Sequence, residues 1–164
     1  MAQAFKVASS TSPYADLPPI CTALFEAKAN KGLTFDQIGK AVGADEMWVA
    51  SMFYGQAKLD PEQLEKLAEI LDLPAANLKA EVGSHWWPSR AAVCEVPPRD
   101  PVLYRLFEGV LVYGQPIKAL IHEKFGDGIM SMIDCKILVG KKPDPKGDRV
   151  VLTFDGKFLP YAKW

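Results

Sequence analysis

Cysteine is scarce in this chain. Only Cys21, Cys94 and Cys135 occur, an odd number, far apart and without a C-x-x-C spacing. That pattern excludes a disulfide framework and a structural zinc site, and it predicts a reducing compartment, the cytoplasm. Histidine is scarcer still, and His85 and His122 lie too far apart to form a ligand pair of metal-binding spacing. No apolar run approaches the roughly 20 residues that a membrane span needs. The opening MAQAFKVASSTSPYADLPP has no basic segment followed by an apolar core, so no secretory signal is read. Residues 1–15 are expected to be a flexible leader. Glycine-rich phosphate loops and dinucleotide fingerprints are missing, and no serine has the G-x-S-x-G context of a hydrolase. No metal or cofactor site is therefore expected.

What is present is an ordinary globular composition, 49% hydrophobic and 24% charged over 164 residues. That length suits one domain or two small ones. The net charge of −1 conceals a division. Residues 1–87 carry 7 Lys and Arg against 11 Asp and Glu, a net of −4, whereas residues 88–164 carry 12 against 9, a net of +3. Two units with different surroundings are implied. We place the first over residues 16–87, a linker over 88–100 (Pro-rich and without a clear period) and the second over 101–164.

The first unit reads as all-helical. Pro18 and Pro19 open a helix that Gly32 follows, and Thr34 to Gln37 is a capping-box pattern opening another through Val42. Gly43 turns the chain, Asp45 caps a helix from Glu46 to Tyr54, Asp60-Pro61 starts one to about Leu71, and Pro74 starts a short last one. Leu24, Phe25, Leu33, Phe35, Ile38, Val42, Trp48, Val49 and Phe53 have the spacing of a small bundle core. Phe35 to Tyr54 is a helix-turn-helix-like (lambda repressor-like) pattern, which raises DNA binding as a rival function. Its second helix, EMWVASMFY, carries no cation, and the region is acidic, the wrong sign for a polyanion. The unit reads better as an interaction module, with no nucleic acid as partner. Trp86 and Trp87 are read as anchors of the link that follows.

The chain is organised around DPVLYRLFEGVLVYGQPIKALIHEKFGDGIMSMIDCKILV, residues 100–139. Asp100 is an N-cap, Pro101 the first helical residue and Gly114 the expected stop. Leu103, Leu106, Phe107, Val110 and Leu111 form one apolar stripe, and the opposite face is nearly as apolar. Between Pro101 and Ile117 the only charges are Arg105 and Glu108, at i and i+3 and so within mutual reach. On a helix this apolar the two ions are expected to be buried, which leaves two readings open, a structural ion pair or a functional one. From Ile129 the period changes to two, placing Ile129, Ser131, Ile133, Cys135 and Ile137 on one side of a half-buried strand. A hydroxyl there needs a partner, and a neighbouring carbonyl is the common one. Lys141 to Arg149 is read as a polar hairpin loop, Val150 to Phe154 as a strand, and Asp155-Gly156 as a turn. The second unit is then two helices and a few strands, too small to bury such a helix unaided, so a second copy is expected against it.

The run YRLFEGVLVYGQPIKALIHEKFGDGIMSMIDCKI, with DGKFLPY near the C-terminus, closely resembles cyanase (cyanate hydratase), and the likeness extends over essentially the whole chain. It implies an α+β fold, a helical N-terminal unit joined to a small α+β dimerisation and catalytic domain. It implies a lyase that decomposes cyanate with bicarbonate as co-substrate, without metal or cofactor, in a homodecamer built from dimers. The family's catalytic Arg, Glu and Ser match Arg105, Glu108 and Ser131. The rival class is a DNA-binding regulator whose C-terminal unit senses a small anion.

Overall fold

The computed structural model describes residues 17–90 and 95–164, so the leader and Cys94 lie outside the described residues. The chain divides into two compact units, Met1–Cys94 and Glu95–Trp164.

The first unit holds five helices, α1 (Pro19–Lys31), α2 (Phe35–Val42), α3 (Glu46–Phe53), α4 (Pro61–Leu71) and α5 (Ala75–Val82). Their ends are those the sequence marks. Thr34 and Gln37 form a reciprocal capping box on α2, Asp60 and Gln63 another on α4, and the Asp45 carboxylate accepts from Met47 N–H at the start of α3. Each satisfies backbone donors that the first turn of a helix leaves without partners. Gly32 and Gly43 end α1 and α2 in the left-handed region, at φ 64° and 77°. At Gly39 a Cβ would lie 2.7 Å from the Ala44 carbonyl oxygen, so glycine lets α2 approach the turn into α3.

Leu24, Ile38, Val42, Val49 and Phe53 are buried, joined by Leu64, Leu67, Leu71, Leu78 and Val82 from α4 and α5. Phe25, Phe35 and Phe53 meet edge to face, with centroids 5.2–6.4 Å apart. Trp48 departs from the expectation. It is 44% exposed, its indole N–H donating to the Lys58 carbonyl at 3.0 Å, because a buried indole needs an acceptor that the apolar interior lacks. Trp86 packs partly buried against the core. Lys58 donates to the Ser84 and Trp86 carbonyls at 2.8 and 2.7 Å, and its ammonium lies 4.1 Å from the centroid of the exposed Trp87 ring.

The second unit is one helix and one hairpin. Helix α6 runs Pro101–Phe125, 25 residues, capped by Asp100, whose carboxylate accepts from Val102 and Leu103 N–H. The expected stop at Gly114 is corrected. The helix passes through Gly114 and Pro116 and ends at Gly126, whose φ of 89° a side chain would resist. An interior glycine costs about 1 kcal/mol and an interior proline about 3, yet the helix and its apolar stripe continue through Ile117, Leu120 and Ile121. The two helices expected here are therefore one.

Strands β1 (Gly128–Lys142) and β2 (Arg149–Pro160) pair antiparallel. The polar hairpin turns where expected, with the Asp144 carboxylate accepting from Lys146 N–H and Arg149 Nε at 2.9 and 2.7 Å. Asp155-Gly156 is not a turn. Gly156 pairs with Cys135 inside one continuous β2, because a bulge in β1 brings the other strand's backbone where a side chain would stand. Among the described residues no helix is long and apolar enough to cross a membrane.

Candidate active site

Arg105 and Glu108 sit in the second turn of α6. One helical turn apart, they close an ion pair with Nη1 to Oε2 at 2.6 Å. The carboxylate holds the guanidinium pKa above its ordinary value, through the hydrogen bond first and charge second. Arg105 is a permanent cation. Within one chain the expected burial is absent, the two side chains being 73% and 42% exposed, and no residue of α6 is buried. The helix is apolar for a surface that the second unit by itself does not provide.

Ser131 lies on β1, four residues into the strand. It is 6% exposed, the one buried polar side chain among the described residues. Its environment comes from an irregular ladder. Met130 pairs with Phe158 and the next pair is Cys135 with Gly156, so four residues of β1 oppose one of β2. The expected alternation fails there, since Ile129 is half exposed and Ile133 fully so while Ser131 is buried between them. A bulge re-aims side chains at just such points. The Ser131 partner is also not the carbonyl expected. Oγ accepts from Ile133 N–H at 3.1 Å and from Asp134 N–H at 2.9 Å. Both hydroxyl lone pairs are thereby engaged, and what remains to Ser131 is to donate its hydrogen. Two incoming N–H bonds polarise the O–H and strengthen it as a donor.

The arrangement is thus a fixed cation and a hydroxyl that can only donate, both suited to an anion. Among the described residues no hydrogen bond joins Ser131 to Arg105 or Glu108. None of the three lines the apolar groove of about 920 Å³ between α6 and the sheet, which Val110, Ile117, Ile121, Met130 and Phe154 help to form. The structure brings Arg105 and Glu108 together and shows no hydrogen bond from either to Ser131. Sequence reasoning missed the two amides that hold Ser131 and the strand glycine opposite. A glycine inside a strand pattern signals a bulge or a close approach, and Gly156 carried that signal.

A helical unit followed by a long apolar helix with one ion pair and a bulged hairpin defines a two-unit α+β protein. The comparisons narrow that class. Residues 95–163 match the family described as cyanate lyase C-terminal domain, and residues 19–80 the one described as cyanate hydratase, N-terminal. The chain is 68% identical over 146 residues to a cyanate hydratase of Coprinopsis cinerea, covering 89% of this chain and 96% of the other. It is 62% identical over 163 residues to one of Laccaria bicolor, covering 99% and 98%. A solved cyanase from T. urticae is similar with a TM-score of 0.75 at 37% identity, over 87% of this chain and 97% of that one. The chain belongs to the cyanate hydratase (cyanate lyase) family of enzymes.

Proposed function

We propose that this protein decomposes cyanate with bicarbonate, and that Arg105, Glu108 and Ser131 carry the reaction. The observation that supports it most is Arg105, a cation clamped at 2.6 Å by Glu108 on a helix otherwise uncharged from Pro101 to Ile117. Bicarbonate oxygen attacks the cyanate carbon, and the adduct takes up one proton and splits into carbon dioxide and carbamate. Carbamate takes up a second proton and yields ammonia and another carbon dioxide. Bicarbonate brings the nucleophile, so the chain needs neither a nucleophilic residue of its own nor a metal or cofactor.

The obstacle is charge. Two anions about 3.5 Å apart repel by roughly 5 kcal/mol at an effective dielectric near 20. A fixed guanidinium offsets much of that and interacts more strongly as charge concentrates in the dianionic adduct. Arg105 suits the task because its planar fork can grip a carboxylate-like group at two points, which lysine cannot. Ser131 donates its one hydrogen to an anion and orients it. Holding both reactants in attacking geometry contributes on the order of 7–11 kcal/mol. Glu108 orients Arg105 and is our candidate acceptor for the bicarbonate hydroxyl proton.

The site is completed, in this reading, where copies meet in a decamer built from dimers, so that more than one Arg105 faces a single dianion. Two observations support it, the bare apolar length of α6 and the lack of any bond between Ser131 and the ion pair within one chain. Mixing Arg105→Ala with Ser131→Ala subunits tests it, with activity depending non-linearly on the mixing ratio. A cytoplasmic location fits the free thiols of Cys21 and Cys135. The primary test is ammonia release from cyanate in carbon-dioxide-free buffer, with and without bicarbonate, for the native protein and Arg105→Lys. Bicarbonate-dependent release that the mutant loses is expected, and no release at any bicarbonate level would sink the enzyme reading.

A further inference from the structure

We propose that Gly156 is a positioning residue for Ser131, its missing side chain allowing the β1 bulge to close in the one shape that makes the hydroxyl a pure donor. The inference rests on Ser131 serving the reaction above. Its physical basis is a close approach. A Cβ on Gly156 would stand 2.5 Å from the Ser131 carbonyl oxygen, 2.5 Å from Met130 Cγ and 3.1 Å from Met130 Sδ. Side-chain atoms of Met130 have rotamers to retreat into. The Ser131 carbonyl has none, since it is backbone, and moving it moves the serine itself.

The register explains why the contact falls there. Cys135 is the partner of Gly156, and the four residues preceding it, 131–134, stand against the single Lys157 of β2. Those residues must fold back over position 156. In doing so they bring the Ile133 and Asp134 amides within 3.1 and 2.9 Å of Ser131 Oγ. A bulge pushed outward by a methyl group would lengthen or break those bonds. Ser131 would then regain acceptor capacity and rotamer freedom, and its hydrogen would no longer be committed to one direction. Gly156 touches no reacting atom in this account. It acts through the backbone of residues 131–134.

The test is a two-by-two set in the full-length protein: native, Gly156→Ala, Ser131→Ala and the double variant, each checked for unchanged assembly by size-exclusion chromatography. Steady-state rates are read together with amide exchange of the segment 132–135. In Gly156→Ala we expect kcat to fall by about tenfold or more, toward the roughly hundredfold of losing one transition-state donor outright, with a smaller change in KM for either anion. Ile133 and Asp134 amides should exchange faster. On the Ser131→Ala background the same glycine change should cost less than about twofold, since residues acting through one another are not additive. If Gly156→Ala does not assemble, Met130→Ala/Gly156→Ala removes the side-chain crowding, keeps the carbonyl clash and carries the same comparison. Native kcat in the assembled glycine variant, or an equal loss on both backgrounds, overturns the proposal while leaving Ser131 in its role. Full activity in Ser131→Ala alone overturns the site assignment on which the proposal stands, and is distinguished by that variant alone.

Discussion

The two units solve the problem of burial in opposite ways. In the first, ten or more large apolar side chains from five helices close on one another, and Leu24, Ile38, Val49, Phe53 and Leu67 are wholly inaccessible. In the second, Gly128 and Ser131 are the only buried residues, and Val110, Leu111 and Tyr113 stand 62–66% exposed. A two-stranded hairpin is marginal in water without a surface to pack on, and one helix gives it little. The first unit carries its core within itself, whereas the second has no closed apolar core of its own. The difference teaches where to look for function, since the catalytic candidates all lie in the unit that is incomplete.

The sharpest way to break that comparison is Leu111→Asp. On a free surface this change would cost under about 0.5 kcal/mol. If the α6 stripe is an interface, assembly and ammonia release should both be lost, and light scattering would read the change in mass. A fully assembled, active Leu111→Asp protein would show the second unit to be self-sufficient. Next comes Phe53→Ala, which empties the centre of the aromatic cluster and should cost about 3–5 kcal/mol. Chemical denaturation followed by far-UV circular dichroism would show the loss in the helical unit. Thr34→Ala removes one arm of the α2 capping box and should cost about 1 kcal/mol, visible as a lower denaturation midpoint at unchanged slope.

The smallest effect is a matter of pH. The Asp144 pKa is held below its ordinary value by the Lys146 amide first and the Arg149 side chain second. The hairpin stabilisation it supplies is therefore fully present above the ordinary carboxylate pKa and is lost as pH falls through the lowered one. Nuclear magnetic resonance of the Arg149 Nε–H should report that loss, and Asp144→Asn should flatten the profile. Cys21 sharpens the contrast between the units from the other side. Burial pushes its thiol up to about 11, so at neutral pH it should label only on unfolding, while the partly exposed Cys135 labels in the native protein.

Much of the first unit was legible because its signals are local. Capping boxes, proline starts and glycine stops act within four residues, and α1 to α5 follow them closely. The ion pair was legible for the same reason, i and i+3 being neighbours on any helix. What was not legible depended on surroundings. Gly114 and Pro116 mark a stop in isolation, yet the apolar stripe runs on beyond them to Phe125. Asp155-Gly156 has the composition of a turn, and only pairing with a bulged strand makes it part of β2. Ser131 was found through its family likeness and an alternating pattern, whereas its bonds come from a bulge that interrupts that pattern.

Pro116 has one more implication. Lacking an N–H, it cannot bond the carbonyl of Val112, so α6 carries a main-chain oxygen without its usual i+4 donor in the middle of its most apolar stretch. In water such an oxygen is satisfied at no cost. Under a greasy cover it is a mark that has to be answered, by a donor from the covering surface or by a trapped water. Whatever closes over this helix must therefore match it in polarity as well as in shape, which gives a nearly featureless apolar rod a point of registration.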